Sequence, residues 1–300
     1  MRSVIVLVMT AAMFCTVAQA KPREVRHLKP SSPWIVDYAE DTCRLARMFG
    51  EGRRAVTVYF EQFEPGDTFN MMFVGDSLDP RGRALEGSLR FGPGEQADDV
   101  TAVAGTTKNR PTIIFNGGKR IAPMTEAERS ARKAALSRNE RFELAPVGAA
   151  REKAVAWVEL ARLLPFDLVI ETGPMDQPLA ALRECSWDMV GSWGLDVEQQ
   201  KQLSRKVRPR SPSISWFTEN DYPAGMLAQG YQANVNFRLL VDETGKPTSC
   251  KIQSSTRPKA FDDVVCSVVM KRASFEPALD ASGRPVRSFW RQSVSFRIEQ

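Results

Sequence analysis

Past position 20, the side chains best suited to metal, redox or nucleophilic chemistry are four cysteines, Cys43, Cys185, Cys250 and Cys266, and one histidine, His27. A zinc site needs closely spaced ligands such as C-x-x-C with helping histidines, and neither is present. A dithiol redox centre holds its two cysteines within one turn, which these spacings do not supply. A Ser-His-Asp or Cys-His arrangement would have to draw on His27, which sits in a polar stretch with Lys29 and Pro30. No second histidine can act as a base near neutral pH. No catalytic, cofactor-binding or metal-ligating residue is therefore assigned. The alternative, a hydrolase or other enzyme, requires a site within residues 34–199 that no motif marks.

Weaker motifs resolve into turns. Residues 166–170 run apolar into Glu171-Thr172-Gly173, a loop similar to that of aspartic proteases, but those enzymes need two aspartates sharing a proton and no second copy exists. Gly92-Pro93-Gly94 and Asn116-Gly117-Gly118-Lys119 lack the glycine spacing and following helix of a phosphate loop. Asn116-Gly117 suits a tight hairpin.

An even number of cysteines reads as disulfides if the chain is exported, and the N-terminus predicts export. Arg2 precedes an apolar run of about 14 residues, short of the roughly 20 that a spanning helix needs. Ala18-Gln19-Ala20 then offers the small-x-small pattern of a cleavage site. Residues 1–20 read as a signal peptide removed after Ala20, giving a periplasmic protein with no integral membrane segment; an uncleaved inner-membrane anchor is the rival. Phe14 before Cys15 argues against lipidation. The 41 Lys+Arg against 36 Asp+Glu are spread along the chain. The cluster Lys201, Arg205, Lys206, Arg208 and Arg210 lacks aromatics, so no nucleic-acid partner is expected.

Hydrophobic patterning predicts an α+β chain in three mature zones: a polar, mobile leader at 21–33, a β-rich N-terminal domain at 34–199, and a second domain at 216–300 beyond a basic, Pro-containing linker at 200–215. Residues 56–63, 69–74, 84–91 and 112–115 are rich in β-branched and aromatic side chains. Residues 125–138 read as a surface helix. Residues 155–160 fit a strand or a helix, and 167–171 a strand. Leu179, Leu182, Ser186, Met189 and Trp193 recur at helical spacing, with Asp176 as cap and Pro178 in the first turn. In the second domain, Ala233, Val235, Phe237, Leu239 and Val241 alternate with polar neighbours as a half-buried strand. A turn at 242–245, a strand at 248–253, a helix on which Phe261, Val264, Val265, Val268, Val269 and Arg272 repeat with an apolar stripe, and a strand at 286–298 follow. One helix against one face of a three-stranded sheet is the minimal way to bury both.

These residues resemble the C-terminal domain of TonB-type energy transducers. The matching features are Asp221-Tyr222-Pro223 before a short helix ending at Gly230, Asp242-Glu243-Thr244-Gly245 after the first strand, Ser254-Ser255, Phe261-Asp262, and Phe275-Glu276-Pro277-Ala278 before Gly283-Arg284-Pro285-Val286. Tyr222, Pro223, Gly245, Phe275 and Pro277 carry the motif. No family is assigned to residues 34–199. The resemblance implies a three-stranded antiparallel sheet with two helices, no cofactor, and a periplasmic module that pairs with a short peptide of an outer-membrane receptor. Transducers keep an N-terminal membrane helix and a long Pro-rich spacer; here the leader reads as cleavable, and the stretch between Asp196 and Trp216 reaches at most about 70 Å. Partner binding linked to transport is the expectation, with oligomeric state left open.

The final strand has no later strand to cover it, and in the resembled family it accepts the receptor peptide. Arg287, Phe289, Arg291, Ser293, Ser295 and Arg297 are the predicted partner-binding residues, the arginines favouring an acidic partner. Cys250 points to the sheet face that receives the helix and Cys266 lies on the helix flank, so these two are expected to pair. Cys43 with Cys185 follows by exclusion. N-terminal sequencing of protein from the native periplasm is expected to begin at Lys21; recovery only in membranes with Met1 retained would reinstate an anchor.

Overall fold

A computed structural model of the chain describes residues 22–78, 84–137, 142–256 and 258–298; the predicted signal peptide lies outside the described residues. The first domain is built on ten strands: β1 (Val25–Leu28), β2 (Ile35–Tyr38), β3 (Cys43–Phe49), β4 (Val56–Gln62), β5 (Asn70–Gly75), β6 (Ala84–Phe91), β7 (Asp98–Thr107), β8 (Arg110–Phe115), β9 (Val158–Ala161) and β10 (Asp167–Ile170). Strict alternation drives burial. In β4, Val56, Val58, Phe60 and Gln62 turn inward while Thr57, Tyr59 and Glu61 face outward.

The strands pair in the order β1-β10-β9-β6-β7-β8-β5-β4-β3-β2, all antiparallel except β1 with β10. The chain leaving β1 then reaches the other end of this order. Pro30 bridges Phe49, the Gly50 N–H donates to the Lys29 carbonyl at 2.8 Å, and the Ser31 N–H donates to the Met48 carbonyl at 2.9 Å. Residues 25–38 thus pair with β10 at their start and with β3 at their end, closing the sheet into a barrel. Apolar side chains fill it, among them Leu45, Phe60, Phe73, Ile113 and Val158, each fully buried.

Helix α1 (Glu126–Ser137) lies largely exposed, and α2 (Ala149–Lys153) precedes β9. Helix α3 (Asp176–Ser192) buries Leu179, Leu182 and Met189 in the barrel core, and the Cys43–Cys185 disulfide ties it to β3. Helix α4 (Val197–Lys201) follows, capped by Asp196, whose side chain accepts from the Gln199 N–H at 2.9 Å.

Several local expectations are corrected. The leader is no mobile tail: β1 is a wall strand, with Leu28 buried and His27 beside Val169. Asn116-Gly117 makes no hairpin; the chain continues to Lys119, which pairs back with Phe69. The tight hairpin is Lys108-Asn109 between β7 and β8, with φ of 49° and 64°. Both values lie in the left-handed region that a two-residue turn of this hand requires. Asp176 is the first helical residue of α3 and Met175 the cap, so its carboxylate assists through the helix dipole. The ambiguous segment 155–160 gives strand β9.

The linker too is corrected. Val207 is fully buried in the second core, Arg205 bridges Leu279, and β11 (Arg208–Pro209) pairs with β14 (Phe275–Glu276). The second domain also contains α5 (Ala224–Ala228), β12 (Ala233–Val241), β13 (Pro247–Ser255), α6 (Lys259–Arg272), β15 (Ala278–Leu279), β16 (Pro285–Val286) and β17 (Ser288–Phe296). Its main sheet is antiparallel in the order β13-β12-β17. Val235, Phe237 and Leu239 of β12 pack with Phe261, Val265 and Val269 of α6.

Cys250 of β13 is bonded to Cys266 of α6, 16 residues apart, and Cys43 to Cys185, 142 apart. In the chain-entropy account the short loop contributes roughly 3 kcal/mol and the long one roughly 5 kcal/mol. Replacing Cys43 and Cys185 together by Ala is expected to lower unfolding stability more than replacing Cys250 and Cys266 together. Urea titration of both double variants checks the ranking.

Candidate partner-binding edge

The motif residues of the second domain hold its corners. Thr218 and Asp221 form a reciprocal cap in which the Thr218 N–H donates to the Asp221 carboxylate at 2.7 Å. Arg272, at the end of α6, donates to the same carboxylate at 2.6 Å, and these bonds hold its pKa down at about 2. Tyr222 sits edge-on to Phe261 and Phe296, and its hydroxyl donates to the Tyr231 carbonyl. Gly245 has φ +87°, and a Cβ there would lie 1.9 Å from the Phe275 carbonyl oxygen, so only glycine fits. Phe275 is buried between Trp216 and Trp290, and the Pro277 carbonyl accepts from Arg205 at 3.0 Å. Tyr222 and Phe275 thereby pack directly on Phe296 and Trp290 of β17.

The backbone direction of β17 follows from β12. The Asn234 carbonyl accepts from the Thr256 N–H, and the Asp242 N–H donates to the Lys246 carbonyl, both across the β13 hairpin. Backbone groups alternate sides along a strand, so even-numbered residues of β12 bond β13 and odd-numbered ones bond β17. Val235 opposes Val294, Phe237 opposes Gln292, and Leu239 opposes Trp290. Phe289, Arg291, Ser293 and Ser295 therefore turn their N–H and C=O away from β12, toward the margin. Side chains agree: Ser293 and Ser295 donate to Asn236 and Asn234, as expected of the closer, non-bonded pairs. Among the described residues no strand pairs with the outer margin of β17.

The sheet face opposite α6 is occupied at one end by the barrel. Arg238 donates to Asp41 at 2.9 Å, with side chains 9% and 13% exposed, and its guanidinium lies 3.9 Å above the Trp193 ring. Burial lowers the Arg238 pKa and Asp41 opposes that shift. Lys251 reaches Glu40 at 2.9 Å, and the Gln253 amide donates to the Phe63 carbonyl at 3.0 Å. Phe289 packs on Trp193 with centroids 5.1 Å apart, while Arg291 lies over Phe63 and 3.7 Å from Glu64.

This corrects part of the predicted surface. The side chains of Phe289 and Arg291 serve the domain contact, and burial lowers the Arg291 pKa. Arg287, Ser293, Ser295 and Arg297 remain exposed. Sequence spacing carries no signal for Asp41, Glu64 or Trp193, because each meets a partner about a hundred or more residues away.

A second feature lies on the outer barrel wall, a shallow groove of about 430 Å³ lined by Val25, His27, Arg90, Trp157, Glu159, Val169 and Glu171. Glu171 lies 3.6 Å from His27 Nδ1, Arg90 pairs with Glu159 at 2.6 Å, and the Arg90 guanidinium stacks over Trp157. Its lining holds no serine, threonine or cysteine to act as nucleophile. Among the described residues no three metal-ligating side chains gather.

Residues 218–298 match the family described as Gram-negative bacterial TonB protein C-terminal, so that stretch is a TonB C-terminal domain. None of the curated proteins compared with the chain matches it. The match takes in α5, α6 and the whole β13-β12-β17 sheet and stops short of the barrel.

Removing one member of a dry ion pair strands the other, which typically costs about 3 kcal/mol or more. Asp41→Ala is expected to destabilise the chain by about that amount, and Asp41→Leu combined with Arg238→Met to recover most of it. Urea unfolding of the single and double variants reads both values.

Proposed function

We propose that this chain is a periplasmic, non-catalytic protein-interaction protein linked to TonB-dependent transport, whose C-terminal domain takes an extended segment of an outer-membrane receptor as a strand added to β17. The observation that carries this reading is the open margin: β17 ends its sheet, and Ser293 and Ser295 turn backbone groups and exposed side chains toward solvent there. An added strand gains affinity from main-chain hydrogen bonds and specificity from alternate side chains. The two disulfides fit an oxidising compartment. The leader ending at Ala20 supplies the route there, and among the described residues no helix is long and apolar enough to cross a membrane.

The reading is tested in the full chain with a photo-crosslinking residue at Ser295, expressed in its native cells. The expected adduct is an outer-membrane receptor. Ser293→Pro removes one outward N–H at a position where an edge strand tolerates proline. It is expected to lower adduct yield by up to about tenfold, the equivalent of one hydrogen bond and its neighbours. Unchanged yield in a variant with native circular dichroism would exclude this margin as the site.

A further inference from the structure

The margin of β17 is not open along its whole length. Gln200 of α4, only 4% exposed, reaches across from the first domain to its start. Its Nε2 donates to the Arg287 carbonyl at 2.8 Å, and its Oε1 accepts from the Ser288 hydroxyl at 2.6 Å. By the alternation derived above, Arg287 belongs to the outward-facing set. The carbonyl an added strand would need at that position is already spent, and both ends of the glutamine amide are engaged in holding it.

Past this point, among the described residues, no strand pairs with the margin. Phe289, Arg291, Ser293 and Ser295 each offer one N–H and one C=O, a ledge of about 20 Å at the rise of an extended strand. The two faces beside it differ. Trp290 and Val294 pack with the α6 core on one face. On the other, Ser293, Ser295, Asn234 and Asn236 form a polar ladder. A slip of one residue would carry every partner side chain to the wrong face.

Resting on the strand-addition reading, we infer that Gln200 is a register stop: the first domain closes the start of the β17 margin, so that a partner segment of about seven residues docks in one frame. Residues beside Trp290 and Val294 are then apolar, residues beside Ser293 and Ser295 are small and polar, and an acidic residue near the Ser295 end meets the exposed Arg297. Gln200 is a positioning residue here, acting through the Arg287 carbonyl without reading partner side chains.

The probe is a displayed library of random nine-residue peptides selected against the full chain, with amide hydrogen exchange of β17 read on the best binder. In the native chain, protection is expected at Phe289, Arg291, Ser293 and Ser295 and not at Arg287. In Gln200→Ala protection is expected to extend by two residues to Arg287, and in Ser288→Ala, which removes the hydroxyl that holds the glutamine Oε1 but leaves its Nε2 bond to the Arg287 carbonyl, to extend there in part. Selected peptides are expected to lengthen their alternating pattern accordingly. If the variants keep native circular dichroism and the protected set does not move, the register stop is wrong while strand addition stands. If no selected peptide protects any β17 amide in the native chain, strand addition fails and the register stop with it.

Discussion

The Arg238 guanidinium sits almost dry between two domains, and the arrangement of the molecule follows from what that charge requires. A cation in such a place needs a counter-charge and surfaces that exclude water. Asp41 supplies the first and Trp193 the second. Asp41 lies in the turn between β2 and β3, two residues before Cys43, while Trp193 ends the helix that carries Cys185. The disulfide between these cysteines therefore holds the anion and the aromatic ring in one frame. The second domain docks on a preformed pair of groups and has no need to order them as it arrives.

That docking solves a problem of sheet architecture. A three-stranded sheet has two faces, and a single helix covers one. Here α6 takes the apolar face, and the barrel takes the half of the other face bearing Arg238, Leu240, Phe289 and Arg291. The remaining half is polar, with Ser293 and Ser295 exposed and Asn234 and Asn236 half-buried. Sharing the face this way leaves the margin of β17 exposed while its start is fastened, so the open backbone groups sit on a rigid support.

Legibility in the sequence tracked the range of the interaction concerned. The alternation in 233–241, the stripe from Phe261 to Val269 and the glycine turn at Gly245 are local patterns, and each gives the expected element. Strands β1, β2, β3 and β7 carry little sequence signal because polar, glycine or alanine residues dilute their alternation; β2, β3 and β7 pair with strands adjacent in sequence, and β1 alone takes its partner from far along the chain. His27 lies in β1, whose partner β10 is some 140 residues away. The hairpin at Lys108-Asn109 lacks the glycine that usually marks such turns. Residues 200–215 read as a linker by composition, yet Gln200 and Lys201 close helix α4 while Val207 and the β11–β14 pair join the second core. The outward set on β17 was legible as a strand face, whereas the capture of Phe289 and Arg291 by the barrel depends on a contact between domains that no spacing encodes.

The barrel is closed by its first strand pairing with its last, Val25 beside Asp167, so the wall cannot be completed until nearly all of the domain has been delivered. Contacts this far apart along a chain make folding slow, since the intervening loop must be gathered before any pairing is rewarded. A chain threaded from its N-terminus would hold β1 and Cys43 waiting unpaired for the longest time. Its cysteines nevertheless appear in a forgiving order: beyond position 20, Cys185 is the first thiol that Cys43 meets, and Cys250 is followed directly by Cys266. An oxidant acting on each pair as it emerges would make both native bridges without having to rearrange either.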